Sequence, residues 1–488
     1  MTVLSLAITS CEKDEFAPYS GGGIHGNNGS GEVSGTISSD IQTADKFARE
    51  YMETYYLWND EIADRLSLLD PNTCNDPIGT VSKILYKEDK WTQLYDDISV
   101  LSNYIAGVET TFGYYIQYGY FNNSDTMFGL VAYVYDGSPA QKAGLKRGDF
   151  ILTIDGEDIT ERNIDMLFDA PSITIGLGEL RDGLVEETGK EVTLAAVNMY
   201  EHPIIANKVL DAGGKKVGYL AYTSFDLNSL GDLKDAFRNF RTMGITDLVL
   251  DLRYNGGGYV VTEEAMASML VPEVHVNNHD IYQKTVYNRI LTDFYEENGT
   301  SMISRFTTDF TYTDDNDKEQ TLSTRNCNAG INNLYVLVTQ NTASASEGLI
   351  VGLSPYMNVK VIGQQTHGKF CTGVIFKAAD TKSYSSLKKW GLYCMIGTFS
   401  DCKGDNPCRP DGIKPALEVL DDPSEGYQLG DENETMLHAA LEMISGGGTK
   451  TLMASPKTRS AAMDFTNLQT LQPKGHVDRR ILQPMMLK

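Results

Sequence analysis

Between residues 206 and 448 the sequence alternates short apolar strand patterns with amphipathic helical patterns, and this alternation is the strongest constraint on the fold. The strand patterns are KVGYLAYTSF, DLVLDLR, LYVLVT and NVKVIG, and helical patterns such as SLGDLKDAFRNFRTMG and TEEAMASML lie between them. Strands that alternate with helices indicate an α/β layer, and open α/β sheets often carry their functional groups at the strand ends. The sequence therefore predicts an α/β core with a site where its strands stop.

Two short segments that follow these strands carry candidate nucleophilic chemistry. TASASE at 342–347 contains Ser344, and THGKF at 366–370 contains Lys369, 25 residues further on. A serine hydroxyl becomes a nucleophile when a neighbouring group takes its proton, and lysine can do so only as an uncharged amine. An apolar pocket without a carboxylate favours that form, and the close sequence neighbours of the lysine include no acid. Taken alone, each segment also fits a helix cap or a surface lysine.

The strand DLVLDLR runs into a glycine-rich turn that can offer backbone hydrogen-bond donors. Asn255 precedes the glycines 256–258, and missing side chains let backbone N–H groups approach a substrate closely. A second donor is the N–H of Ala345, just after Ser344 at the start of a predicted helix. Two such donors would stabilise the oxyanion that forms when a serine attacks a carbonyl. A simple turn also accounts for the glycines.

The order of these segments resembles that of the C-terminal processing, or tail-specific, serine peptidases. The resemblance runs over most of the chain: a helical amino-terminal region, a PDZ domain, DLRYNGGG, TASASE and a Gly-Lys step. It implies a crotonase-like α/β protease core with Ser344 as nucleophile and Lys369 as base. It also implies oxyanion donors at Ala345 and at Gly257 or Gly258.

One position departs from the family pattern. Many members carry a glutamine four residues after the lysine that orients it, whereas position 373 here is glycine. Thr372, Gln365 or Gln364 could take that role, or the serine and lysine could act as a dyad alone. Glu347, one helical turn after the nucleophile, is a further candidate, although a cap or brace for the helix explains it better.

Residues 137–156, GSPAQKAGLKRGDFILTIDG, resemble the turn, short helix and strand of a bacterial PDZ domain. Upstream, four residues occupy the place of the PDZ loop whose backbone N–H groups receive a peptide carboxylate: Phe112, Gly113, Tyr114 and Tyr115. Such a domain binds a peptide by adding it as a strand to an open sheet edge. The resemblance implies a polypeptide partner recognised through its C-terminus, or else a structural lid that no longer binds peptide.

The amino-terminal residues resemble the end of an export signal. In MTVLSLAITSC, Cys11 follows Ile8, Thr9 and Ser10 in the manner of a bacterial lipoprotein box, which predicts lipidation of Cys11. The signal is short and has no basic residue before its apolar run, so we expect a truncated start. An acidic CEKDE segment and a Gly, Asn and Ser-rich tether follow. These features predict an exported periplasmic or outer-membrane lipoprotein, with CEKDE resembling a surface-export signal.

The chain therefore divides into six predicted segments. They are a truncated lipoprotein signal over 1–11, a flexible tether over 12–37, a helical domain over 38–108, a PDZ domain over 110–202, a Ser-Lys protease core over 206–448 and a C-terminal extension over 449–488. The extension shows no clear periodicity, so the sequence predicts a loosely ordered segment and assigns it no function.

Charge, cysteines and missing motifs restrict the partners. A formal net charge of −25 disfavours nucleic acid and anionic membrane surfaces as partners, because both repel an acidic protein.

The sequence contains neither an HExxH helix nor a paired CxxC set, so we expect no metal and no cofactor. Disulfides between Cys371 and Cys394 or between Cys402 and Cys408 are possible outside the cytosol, and free thiols fit equally well.

The predicted function is a serine endopeptidase that hydrolyses unfolded or C-terminally recognised proteins with a Ser-Lys dyad. Contact with a membrane would come only from the lipid anchor, and the oligomeric state is not predicted. The alternative is a catalytically inactive, PDZ-containing lipoprotein that binds peptides. A fluorophosphonate adduct on Ser344 would separate these two hypotheses.

Overall fold

The computed structural model describes residues 37–121, 124–181, 184–314, 318–446, 469–470 and 479–482. The predicted signal with Cys11, and all of the predicted tether except residue 37, lie outside the described residues. Within the ranges described, no helix combines the length and apolar character needed to cross a membrane.

The amino-terminal region packs onto the α/β core of residues 204–445 and shares its apolar interior. Its elements are α1 (Ser39–Tyr55), α2 (Pro77–Ile84), β1 (Gln93–Tyr95) and α3 (Ser99–Ile105). α1 begins where the Ser38 hydroxyl accepts a hydrogen bond from the Ile41 N–H at 3.3 Å. Its buried face joins the main apolar cluster, and the Tyr51 and Tyr55 rings lie 4.9 and 4.6 Å from the Phe376 ring. The region is therefore a layer of the α/β core.

Residues 108–200 form a β unit with two short helices. Its elements are β2 (Val108–Thr111), β3 (Tyr114–Tyr120), β4 (Met127–Val134), α4 (Pro139–Lys142), β5 (Phe150–Ile154), β6 (Glu157–Asp158), α5 (Met166–Asp169), β7 (Ser172–Arg181), β8 (Leu184–Ala195) and β9 (Val197–Tyr200). One sheet has the order β3, β4, β5, β7, β8, while β2 pairs with β9. An apolar cluster of its own fills this unit and includes Phe112, Leu145 and Ile151.

The elements of the α/β core follow between residues 204 and 445. In chain order they are β10 (Ile204–Ala212), β11 (Lys215–Tyr222), α6 (Leu230–Met243), β12 (Asp247–Asp251), β13 (Gly257–Tyr259), α7 (Val260–Leu270), α8 (Glu273–Asn277), β14 (Ile281–Tyr287), α9 (Arg289–Glu297), β15 (Ile303–Arg305), β16 (Asp309–Thr313), β17 (Glu319–Ser323), β18 (Asn333–Val338), α10 (Ala345–Leu353), β19 (Asn358–Gly363), β20 (Cys371–Lys377), β21 (Gly391–Ser400), β22 (Leu417–Glu418) and α11 (Thr435–Ser445). Short 3₁₀ turns lie at Leu66–Leu68, Ala378–Asp380, Lys382–Tyr384 and Pro423–Glu425.

A six-stranded sheet forms the centre of this core. Its order is β10, β11, β12, β18, β19, β22, and every pair is parallel except β10 with β11. All five residues of β12 are buried, as expected for a parallel strand covered on both faces. Helices α6 and α10 connect neighbouring parallel strands of the sheet. The structure therefore confirms the predicted α/β class.

A second sheet carries the other half of the candidate site. Two of the short strands belong to the C-terminal extension: β23 (Gln469–Thr470) and β24 (Arg479–Ile481). The second sheet has the order β13, β24, β20, β21, β14, β15, and β1 pairs with β21. β23 pairs with β3 at the edge of the PDZ sheet. These residues of the extension are thus regular strands, which the absence of periodicity did not predict.

The six cysteines within the described ranges are free thiols. In the β20–β21 ladder, Cys371 lies opposite Thr398 and Cys394 lies opposite Val374, so the two cysteines do not face each other. The suggested disulfides are therefore absent, and the free-thiol alternative describes the structure.

Candidate active site

Ser344 lies in a strained turn between β18 and α10. Its backbone angles, φ 65° and ψ −110°, fall outside the regions that L residues favour. Such a conformation costs about 1–3 kcal/mol and persists only where the surroundings enforce it. Here the Thr342 hydroxyl donates to the Leu252 carbonyl at 2.8 Å, and the Ala343 N–H donates to the Asn255 carbonyl at 3.1 Å. The turn is therefore fastened to the segment that follows β12.

The Ser344 hydroxyl is buried. The residue is 0% exposed, and its Oγ has no hydrogen-bond partner among the described residues. Ser344 occupies the N-cap position of α10 with Glu347 at the third helical position, as in a capping box, but its Oγ makes no hydrogen bond to the first turn. Because an unpaired buried polar group costs about 1–3 kcal/mol, its presence requires an explanation such as a catalytic role.

Glu347 joins the backbones of Ser344 and Lys369. Its Oε2 accepts from the Ser344 N–H at 2.8 Å and from the Lys369 N–H at 2.9 Å. Because both N–H groups donate to the same oxygen atom, the backbones of Ser344 and Lys369 lie close together. Its Oε1 accepts from the Gly368 N–H at 2.7 Å and from the Thr366 hydroxyl at 2.5 Å. Burial raises the pKa of the Glu347 carboxyl, and hydrogen bonds from Thr366, Ser344 and Gly368 oppose that rise. Glu347 is thus a brace for the two segments.

The Lys369 side chain lies in an aromatic pocket. The residue is 0% exposed, and its Nζ donates to the Tyr393 hydroxyl at 3.0 Å. Nζ also lies 5.4 Å from the centre of the Trp91 ring and 5.0 Å from that of Tyr393. Such a pocket excludes water, which disfavours an ammonium ion, while the ring faces attract one. In this conformation the amine and the Ser344 hydroxyl are not hydrogen bonded to each other.

Tyr393 is a site residue that the sequence did not reveal. A Cβ added to Gly373 would lie 2.5 Å from the Tyr393 ring and 2.4 Å from Met395, so the ring fills space that a side chain at 373 would need. Gly373 therefore leaves room for a phenol that contacts the lysine. Of the predicted substitutes, Gln365 donates its side-chain amide to the Asp411 carbonyl. Tyr393 is brought to the lysine by the pairing of β20 with β21, in which it lies opposite Ile375, and this strand register cannot be read from the sequence.

The predicted oxyanion donors lie on β13 and at the start of α10. Gly258 has φ 149°, and a Cβ there would lie 2.3 Å from the Phe225 carbonyl oxygen, so only glycine fits. Ala345 is the first residue of α10, where N–H groups lack acceptors within the helix. The Gly257 N–H donates to Asn255 Oδ1 at 2.8 Å and would have to leave this acceptor to bind an oxyanion.

Asn255 holds the glycine strand and the serine turn together. It is 0% exposed, and its Nδ2 donates to the Tyr222 carbonyl on β11 at 2.9 Å. Its own carbonyl accepts from the Ala343 N–H at 3.1 Å and from the Ser346 hydroxyl at 3.0 Å. Ser346 is thereby engaged in a structural contact, whereas the hydroxyl of Ser344 is not.

A buried ionic network anchors the end of β12 just before the glycines. Arg253 pairs with Asp251 at 2.8 Å, with Asp421 at 2.8 Å and with Glu434 at 2.6 Å, and all four residues are at most 8% exposed. Burial raises the pKa of Asp421, but the charges of Arg147 and Arg253 outweigh it and bring the pKa to about 2.

Arg147 connects the PDZ unit to this network. Its guanidinium donates to Asp421 at 2.7 Å, to the Tyr254 hydroxyl at 2.6 Å and to the Ala132 carbonyl of β4 at 3.0 Å. The side chain is 1% exposed although it is charged. The PDZ unit and the strand that leads to Gly257 are therefore joined through one buried cation.

The four predicted peptide-loop residues precede or begin β3. Phe112 is buried, and its carbonyl accepts from the Ala140 N–H at 2.9 Å, while Gly113 has φ 78°. Tyr114 donates its hydroxyl to the Leu167 carbonyl at 2.8 Å, and the Tyr115 ring stacks on that of Tyr133. Two of the four residues thus lie just before β3 and two lie at its start, and β23 pairs with this strand further along.

Comparison with known proteins identifies two domains. The model of peptidase family S41 matches residues 216–419, and a PDZ domain model matches residues 130–170. The carboxyl-terminal-processing protease of Synechocystis sp. is 25% identical over 320 residues, which cover 64% of this chain and 64% of that protein. The carboxy-terminal processing protease CtpB of Bacillus subtilis is 23% identical over 372 residues, which cover 73% of this chain and 68% of CtpB.

A solved structure also resembles this fold. A Bacteroides fragilis protein assigned to the S41 proteases superposes with a TM-score of 0.64 at 25% identity, covering 82% of this chain and 97% of that one. The match to the Synechocystis relative spans less than two thirds of that protein's length.

Proposed function

Because the chain carries a peptidase family S41 domain and a PDZ domain, we propose that it is a serine endopeptidase that acts on unfolded or C-terminally recognised polypeptides. The observation that carries this proposal is the Glu347 brace, which holds the backbone of Lys369 beside that of Ser344. The unpartnered Ser344 hydroxyl in its strained turn supports the assignment of the nucleophile.

In the proposed mechanism, Lys369 acts as an uncharged amine. It takes the proton of the Ser344 hydroxyl as Oγ attacks the substrate carbonyl, and it returns that proton to the leaving amine. The tetrahedral oxyanion would accept hydrogen bonds from the Ala345 N–H and from the glycine strand at Gly257 or Gly258. A water molecule activated by the same amine would then hydrolyse the acyl-enzyme.

Tyr393 would orient the lysine during this cycle. A neutral amine can donate one N–H to the phenol oxygen and still present its lone pair to the serine hydroxyl. The hydrogen bond from Nζ to Tyr393 would therefore fix the direction of the lone pair. The lysine must still close on Ser344, since the two are not hydrogen bonded in this structure.

The PDZ unit suggests how a polypeptide substrate is bound, and the amino terminus suggests in which compartment the protein acts. We expect the loop from Phe112 to Tyr115 and the edge of β3 to bind a polypeptide, with recognition of its C-terminus as the finer proposal. A chloroplastic C-terminal processing peptidase is among the relatives, at 25% identity, and fits an exported protein. Attachment to a periplasmic or outer membrane through a lipid on Cys11 remains a proposal from the sequence.

Active-site labelling tests the proposal. The intact protein is treated with a fluorophosphonate and the adduct is located by mass spectrometry, in parallel with cleavage of an unfolded casein substrate. We expect an adduct on Ser344, no cleavage by Ser344→Ala, and parallel loss in Lys369→Met. The matched Ser346→Ala variant should still be labelled at position 344.

The competing function is a peptide-binding protein without catalysis. The observation that favours it is the missing hydrogen bond between the Ser344 hydroxyl and Lys369. Absence of any adduct, together with intact peptide binding, would support it. Cleavage by a Ser344→Ala protein would refute the nucleophile assignment.

A further inference from the structure

Strand β24 of the C-terminal extension fills the gap between the two strands that flank the candidate site. β24 is paired in parallel with β13, where Gly257, Gly258 and Tyr259 lie opposite residues 479, 480 and 481. On its other side, β24 is paired in parallel with β20 at Gly373. In the described sheet, β13 and β20 each pair with β24 and not with one another. The gap is therefore one strand wide.

The contacts of β24 are those of an extended peptide bound in a cleft. The Leu482 N–H donates to the Gly373 carbonyl at 3.0 Å. Ile481 is 4% exposed and belongs to the main apolar cluster, and Leu482 packs against the same cluster. A strand in this position lies beside the proposed oxyanion glycines on one side and the strand that follows Lys369 on the other. Main-chain bonds give such a ligand its affinity, and the buried side chain gives selectivity.

A second strand of the extension covers the PDZ edge. Gln469 pairs with Tyr118 and Thr470 pairs with Gln117, in antiparallel register with β3. β3 would otherwise be the outermost strand of its sheet. This is the edge at which a PDZ unit adds a peptide strand. One segment of the chain therefore contacts both places where the proposed function expects a polypeptide.

The charge of the extension suits this role. Residues 449–488 contain seven Lys or Arg and two Asp or Glu. Residues 1–448 contain 34 Lys or Arg and 64 Asp or Glu. A basic segment on a strongly acidic body is attracted to it, which favours a bound state of the tethered segment.

We propose that the cleft between β13 and β20 binds a polypeptide as an inserted strand with an aliphatic side chain at the position of Ile481, and that its resident ligand is the chain's own C-terminal extension. This rests on the proposed function of the same site. A substrate must displace β24 from the cleft and β23 from the edge of β3 before it can reach Ser344.

Peptide binding to the full chain tests the proposal without relying on catalysis. All measurements use the Ser344→Ala background and a fluorescent synthetic peptide of residues 465–488, with affinity read by anisotropy. Leu482→Pro removes the N–H that donates to Gly373, so the resident strand should release and the added peptide should bind about fivefold more tightly. Leu482→Met keeps both this N–H and an apolar side chain of similar volume, so it serves as the matched control with a much smaller change.

The peptide itself supplies a second measurement. A peptide with Ile481→Asp should bind the Leu482→Pro protein at least about tenfold more weakly than the parent peptide, because an aspartate cannot occupy a buried aliphatic position. Equal affinity of the two peptides, or equal affinity of the Ser344→Ala protein with and without Leu482→Pro, overturns the proposal. Failure of the wild-type chain to react with a fluorophosphonate would defeat the proposed catalysis, and these binding results would stand apart from it.

Discussion

Replacing Glu347 with glutamine should separate the nucleophile from its base while changing a single polar group. Oε2 accepts from the N–H groups of Ser344 and Lys369, and Oε1 accepts from Gly368 and Thr366. Glutamine has one carbonyl oxygen, so in either orientation its NH₂ group faces two donors. At about 1–3 kcal/mol for each unsatisfied buried group, Glu347→Gln should lower the free energy of unfolding by about 2–6 kcal/mol.

The effect on the reaction should exceed the effect on stability. A misplacement of about 1 Å between reacting groups can cost about 100-fold in rate, so we expect fluorophosphonate labelling of Ser344 to slow by about 100-fold or more. Labelling rates and guanidinium unfolding would be measured on the same samples. Because burial raises the pKa of Glu347, wild-type labelling should also fall on acidification at a higher pH than for an ordinary glutamate, and the variant should lack this dependence.

Glu263→Gln is the matched control. Glu263 is also fully buried and accepts hydrogen bonds from Tyr282 at 2.8 Å and from Gln283 at 3.1 Å. We expect the Glu263→Gln variant to lose a similar amount of unfolding free energy to Glu347→Gln, while its rate of fluorophosphonate labelling stays within a few-fold of the wild-type rate. If Glu347→Gln were labelled at the wild-type rate, or if both variants slowed equally, the bracing role of Glu347 would be refuted.

Three other perturbations follow from the buried polar groups. Tyr393→Phe removes the hydrogen bond to Lys369 and should lower kcat about 10–100-fold with little change in KM; an unchanged kcat would show that the phenol does not orient the amine. Asp45 is buried, and burial raises the pKa of its carboxyl. The protonated carboxyl therefore contributes fully to the free energy of unfolding below the ordinary carboxyl pKa, and this contribution is lost as the pH rises through the raised pKa. Asp45→Asn should therefore have a higher free energy of unfolding than wild type at pH 7 in guanidinium unfolding, and this gain should disappear below the ordinary carboxyl pKa; equal stability at pH 7 would contradict the reasoning. Arg147→Met leaves the buried Asp421 carboxylate paired with Arg253 alone, and it should lower the free energy of unfolding, measured in guanidinium, by about 3–5 kcal/mol. A decrease below about 1 kcal/mol would contradict the stabilising role of this network.

The sequence predicts those parts of the site that depend on local pattern. The buried strand over 247–251, the glycines after it and the helix that starts at Ala345 all follow from composition and periodicity within a few residues. The α/β class follows in the same way, because strand and helix periods differ. Ser344 and Lys369 come from motif order and from the resemblance, and their roles remain predictions.

The rest of the site depends on long-range register. Tyr393 contacts the lysine only because β21 pairs with β20, and every residue of β21 except Thr398 is buried, so no alternation marks one face. The strand at 479–481 is too short to show a period and is placed by pairing with Gly257 and Gly373. The Arg147 contact with Asp421 joins residues 274 positions apart. Such contacts carry no local signal in a single sequence.

The indole of Trp91 belongs to the amino-terminal layer, yet it lies 5.4 Å from the lysine amine. The candidate site therefore extends beyond residues 216–419, the span that matches the S41 model. A chimera that transplanted only that span into another scaffold would open one wall of the amine's compartment to bulk water. The segment that contains Trp91 would have to be transferred together with the 216–419 span, because the indole forms part of the wall around the lysine amine.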